Sequence, residues 1–140
     1  MQLDATLAML LGLAANLSGY PLPPEPPHVR FEDHAFFEAT VCRADPCRVV
    51  GFYDDAGTIY LDRRFSGLDD EIGSSLLIHE LTHYLQERSG AFASGSCAQN
   101  VAREREAYRV QNRYITDVLG SDAVIKVPDI PCSYPNPPRG

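Results

Sequence analysis

The stretch Leu76-Leu77-Ile78-His79-Glu80-Leu81-Thr82-His83-Tyr84-Leu85 decides how this chain is read. It holds no Pro or Gly, its flanks are apolar or uncharged, and it lies inside a longer segment expected to be helical. On a helix, residues four apart project from one face, so the imidazoles of His79 and His83 can share a tetrahedral zinc. Glu80 lies beside that pair, where a carboxylate can serve as general base toward a water at the metal. The five-residue pattern recurs by chance, and its bland reading is a buried helix with two hydrogen-bonded histidines. Its neighbourhood has to separate the two.

Outward from the motif, Ser66 or Asp69 is expected to cap this helix, with Asp69, Asp70 and Glu71 complementing its N-terminal dipole. The helix should run through Arg88 and stop at Gly90. A Gly/Ser/Ala loop over residues 90–96 then leads to a last long helix over about residues 98–119. Three protein ligands make a zinc site, and two glutamates on that last helix compete for the third place. Val101, Glu104, Tyr108, Gln111, Ile115 and Val118 share one face, otherwise the buried one. Glu106 groups with Arg103, Arg109 and Arg113 on the face expected to meet solvent, where ion pairs suffice. A carboxylate pointing inward is costly unless something compensates its desolvation, and a zinc ion would. Glu104 is the expected ligand and Glu106 a surface residue.

With these residues in place, His79-Glu80-Leu81-Thr82-His83 followed by Glu104-Arg105-Glu106-Ala107-Tyr108 resembles the gluzincin branch of the zincin metallopeptidases. The resemblance is to its minimal single-domain members and small uncharacterised bacterial relatives, and it covers two helices, about 50 residues. It implies one Zn²⁺ held by His79, His83 and Glu104, with Glu80 as the catalytic base and a peptide or protein as substrate. The chain departs from the pattern at Tyr108, where many relatives carry an aspartate that orients a zinc histidine. Tyr108 can supply a hydroxyl there, donate to an oxyanion, or simply pack as a core aromatic.

The remainder frames this reading. At 140 residues with 44% hydrophobic and 22% charged residues, one folded domain over residues 1–140 is expected, ending in a proline-rich tail from about residue 121. A net charge of −7 argues against phosphate-backbone or anionic-lipid binding, so no nucleic acid is expected as partner, and no run is long enough for a membrane span. A monomer is expected. Residues 7–17 are nearly all apolar and resemble a signal peptide's central region, but no Lys or Arg precedes Arg30. Leu3, Leu7, Leu10, Ala14 and Leu17 share a helical face instead, so a core helix ended by Gly19 is the reading adopted.

A proline-dense connector (residues 21–27) follows, then a short strand over residues 28–31 and a helical turn over 32–40 that carries Phe36 and Phe37 inward. Strands are expected over residues 48–53 and 58–62, the second at a sheet edge where an extended peptide could pair. The fold class is α+β, with a short antiparallel or mixed sheet. His28 and His34 read as solvent-facing or capping residues, while Arg63 and Arg64 could meet a substrate carboxylate.

Cys42, Cys47, Cys97 and Cys132 lack zinc-ribbon spacing, so disulfides Cys42–Cys47 and Cys97–Cys132 are the simplest of three connectivities. An exported location follows, extracellular or periplasmic, with any signal sequence absent or trimmed. Free buried thiols are the alternative. Two rivals to a zinc peptidase remain at this point: a zinc-stabilised binding domain without turnover, and a metal-free interaction module.

Overall fold

The segment that carries the motif becomes the centre of the molecule. In the computed structural model, which describes residues 3–42, 49–54, 56–68 and 70–129, helix α3 (Glu71–Ser89) is buried continuously from Leu77 to Gln86. A helix enclosed on all sides needs several neighbours, and α1 (Leu3–Ser18), α4 (Cys97–Arg113) and a small sheet supply them. Its N-cap is Asp70, whose side chain accepts from Gly73 N, rather than Ser66; the other expected cap, Asp69, lies outside the described residues. The helix ends at Gly90 as expected, in the left-handed region at φ 73° that glycine adopts without strain.

Helix α1 is the expected core helix, burying Leu7, Leu10, Leu11, Ala14 and Ala15 against α3, although Leu3 at its start is exposed. Among the described residues no helix is long and apolar enough to cross a membrane. The proline-rich connector is tied back to the centre where the Tyr84 hydroxyl donates to Glu25 O at 2.6 Å.

The sheet is mixed, which makes the domain α+β. Its strands are β1 (His28–Glu32), β2 (Gly51–Tyr53) and β3 (Thr58–Asp62), in the order β1-β3-β2. β2 and β3 pair antiparallel, and β1 pairs parallel with β3 in the register Val29 to Ile59 and Phe31 to Leu61. This corrects the placement of β3, which is the central strand and not an edge. The hairpin leaves one side of β3 with unpaired backbone groups, and the preceding segment fills it.

β2 is the edge strand beside α3 and is shorter than expected; residues 49–50 are not strand, and Arg48 lies outside the described residues. Period-two alternation turns Tyr53, Ile59 and Leu61 into the core that α3 shares. Tyr60 and Phe52 face the other way, where Phe36 of α2 (His34–Thr40) meets Tyr60 at a ring-centroid distance of 5.0 Å.

Helix α4 lies along α3 and passes directly into a π-helical turn, Tyr114–Val118, in which Leu119 N bonds to Tyr114 O. That wider turn breaks the 3.6-residue repeat, so Val118, expected on the inward face, is exposed.

Candidate metal centre

Helices α3 and α4 bring His79, His83 and Glu104 together, with one ligand atom from each within 4.8 Å of the others and all three residues buried. Nε2 of His79 stands 3.3 Å from Glu104 Oε1, and Nε2 of His83 stands 2.9 Å from Glu104 Oε2. Burial acts to raise the Glu104 carboxyl, but the His83 and His79 imidazoles outweigh it and hold the group down at about 2. Glu80 is 2% exposed, and its Oε1 makes no hydrogen bond. Burial pushes its carboxyl up to about 7, although His79 and His83 pull the other way. Space for Glu80 comes from Gly51 of β2: a Cβ there would lie 3.0 Å from Glu80 Oε2.

Two glutamines orient the histidines of this cluster. His83 Nδ1 lies 2.9 Å from Gln86 Oε1, and His79 Nδ1 lies 2.9 Å from Gln111 Oε1. The amide orientations follow from the far side of each glutamine. Gln86 Nε2 donates to the Arg103 carbonyl at 2.9 Å and to Glu106 Oε1 at 3.1 Å, both of which only accept. Gln111 Nε2 reaches Ser75 Oγ at 3.4 Å, and the Ser75 proton is already given to Ile72 O. Both Gln Oε1 atoms therefore accept, both histidines carry a proton on Nδ1, and both Nε2 atoms face the Glu104 carboxylate. Facing a carboxylate, Nε2 needs either a second proton or a shared cation.

His83 Nε2 and Glu104 Oε2 are buried without a hydrogen-bond partner despite their proximity. Two imidazoles and one carboxylate, each imidazole oriented through its other nitrogen, make a group that could hold a metal ion. The residues fit the metal that the motif implies. Gln86 and Gln111 were missed as functional residues, although an amide one turn beyond His83 on the same helix was a readable signal.

The structure corrects two placements on α4. Arg103, expected in solvent, is buried, with Nη2 3.9 Å from Glu104 Oε2. Glu106, expected to be a plain surface residue, accepts from Gln86 Nε2 and from the Tyr20 hydroxyl, while pairing with Arg109 at 3.4 Å. The inward arc of α4 is wider than one stripe because α3 and the chain following α1 flank it on two sides.

Tyr108 does join the cluster. Its ring meets His79 edge-on at 4.5 Å between centroids, and burial with the charges of Glu104 and Glu80 pushes its hydroxyl up to about 12. Arg63 and Arg64 are engaged elsewhere, Arg63 with Asp33 and Arg64 with Asp62, each at 3.3 Å. His28 is exposed on β1, and His34 opens α2 with Nδ1 3.5 Å from Asp62 Oδ2, so neither joins the site. Neither Cys42 nor Cys97 is a free thiol; their expected partners, Cys47 and Cys132, lie outside the described residues.

Fold and site together define a small α+β domain built around a buried His-His-Glu group that could hold a metal ion. Residues 3–125 match the family described as Domain of unknown function (DUF6647), and the chain belongs to that family. No curated protein and no solved structure matches it.

Proposed function

We propose that this domain is a zinc-dependent hydrolase of the gluzincin kind, cleaving peptide bonds as an exported monomer. The observation that carries the reading is the buried His79–His83–Glu104 group with a hydrogen-bond-free Glu80 oxygen beside it. Among the described residues the group has three ligands, the number typical of a catalytic site, whereas a structural site closes with four. That count favours turnover over a zinc-stabilised binding domain. Zinc, when bound, supplies a Lewis acid that polarises the scissile carbonyl and lowers the pKa of water toward about 7.

The chain's own residues do the rest. Glu80, with a carboxyl poised near 7, takes the proton of the attacking water and delivers it to the leaving amine. Tyr108 keeps its proton at neutral pH and can donate to the oxygen that gains charge. Gln86 and Gln111 keep both imidazoles in the tautomer that presents Nε2. With β3 enclosed, β2 is the strand to which an extended substrate would add, since its Gly51 lies against Glu80.

The test is metal content and peptide hydrolysis of three purified proteins. The parent should hold one zinc per chain, and Glu104→Ala should lose it. Glu80→Gln should keep the zinc while hydrolysis drops roughly 10²–10⁴-fold. Stoichiometric zinc in Glu104→Ala, or full hydrolysis by Glu80→Gln, refutes the assignment.

A further inference from the structure

Arg103 is a cation that the fold encloses without satisfying. Its side chain is 10% exposed, its Nε is buried with no hydrogen-bond partner, and its guanidinium comes no nearer than 3.9 Å to Glu104 Oε2. That separation is beyond hydrogen-bond range. The base of the side chain is fixed, because the Arg103 carbonyl accepts from Gln86 Nε2. Glu106 already accepts from Tyr20 and Gln86 and pairs with Arg109, while the unpartnered oxygens Glu104 Oε2 and Glu80 Oε1 take no hydrogen bond from the guanidinium. A guanidinium Nε–H buried without an acceptor is costly. Charge leads to the same place. A divalent ion is at most balanced by the carboxylates of Glu104 and Glu80, so the positive charge of Arg103 is left over.

We infer that Arg103 is the docking point for a carboxylate of the substrate, held beside the bond that the metal centre cleaves. The planar fork of a guanidinium matches a carboxylate with two parallel hydrogen bonds, which neither a carbonyl nor a hydroxyl can accept in full. The substrate class is therefore a peptide with a carboxylate close to its scissile bond. That group is either the C-terminal carboxylate of a short peptide or the side chain of a neighbouring Asp or Glu. This inference rests on the hydrolase reading and names its substrate.

The test uses the zinc-loaded full chain and two probes, the monohydroxamate of succinic acid and the same molecule with its carboxylate converted to an amide. Isothermal titration calorimetry should find the carboxylate probe bound about 10–100-fold more tightly than the amide, the worth of a charge-assisted pair. Arg103→Met should erase that preference while keeping the zinc and the affinity for the amide, and Arg103→Lys should restore only part of it. Equal binding of the two probes to the parent overturns the role of Arg103 and leaves the metal centre standing. Zinc bound with neither probe retained, or no zinc at all, overturns both readings.

Cleavage of a mixed peptide library, read by mass spectrometry, separates the two carboxylate sources. Release of C-terminal residues that amidation abolishes assigns the terminal carboxylate. Internal cuts beside Asp or Glu assign the side chain, and internal cuts indifferent to acidic residues overturn the inference.

Discussion

Replacing each glutamine by glutamate puts the tautomer argument at risk, because both changes keep an acceptor for imidazole Nδ1 yet differ on the far side. In Gln86→Glu the second oxygen would stand where Nε2 now donates, 2.9 Å from the Arg103 carbonyl and 3.1 Å from Glu106 Oε1. Two hydrogen bonds become two acceptor–acceptor contacts, one of them between like charges. Each buried polar group left unmatched costs about 1–3 kcal/mol, so the metal-free fold should lose about 3 kcal/mol or more. His83 would be displaced with it, and loss of an orienting partner weakens metal affinity by about 10–100-fold.

In Gln111→Glu the second oxygen meets only Ser75 Oγ at 3.4 Å, a hydroxyl that can turn from Ile72 O to donate. Stability should change by less than about 1 kcal/mol, and a charged acceptor on His79 Nδ1 should hold zinc as tightly as the parent or more so. Urea unfolding of the metal-free proteins and competition for zinc against a chromophoric chelator supply the two numbers. If the two variants fall together, or if Gln86→Glu tightens zinc, the orientation assigned to Gln86 is wrong.

Three further outcomes are expected. Gly51→Ala places a methyl 3.0 Å from Glu80 Oε2, so hydrolysis should fall while zinc stoichiometry, read by elemental analysis, stays at one; unchanged hydrolysis would separate β2 from the site. Between the ordinary carboxyl value of 4.5 and about 7, folded Glu80 keeps a proton that the unfolded chain releases. The metal-free protein should therefore lose up to about 3 kcal/mol as pH rises through that window, and Glu80→Gln should flatten the slope in pH-dependent urea titrations. Peptide mapping without reduction should link Cys97 to Cys132; linkage of Cys97 to Cys42 or Cys47, or free thiols, removes the support for an oxidised, exported domain.

What could be read from the sequence is what local periodicity carries. The spacing of His79 and His83 and the inward position of Glu104 each depend on one helix alone, and each survives folding. The core helix α1 and the stop at Gly90 are of the same kind. The position of β3 was not of that kind: a hairpin can be read from two neighbouring runs, but which segment takes its open edge depends on where the intervening chain returns.

Arg103 and Glu106 mark the other limit. A single hydrophobic stripe assumes one packing partner, whereas α4 has α3 on one flank and Tyr20 of the chain after α1 on another. An arginine and a glutamate then fall within the enclosed arc without any apolar signature to announce them. The roles of the two glutamines were missed for a different reason, although Gln111 was placed on the inward face. Glutamine is a good helix former that suits a solvated face as well as a buried one, so nothing in its propensity marks a partner of histidine. Chemistry marks it instead. A metal-binding histidine needs an acceptor for its second nitrogen, and inside a helical cluster the residue supplying it must sit about one turn away or on the facing helix. Gln86 meets the first condition from His83, and Gln111 meets the second from α4. An amide serves here where a carboxylate would not, because Gln86 must also donate to a carbonyl and to Glu106. The choice of glutamine over glutamate at position 86 is thus dictated by the side of the residue that faces away from His83.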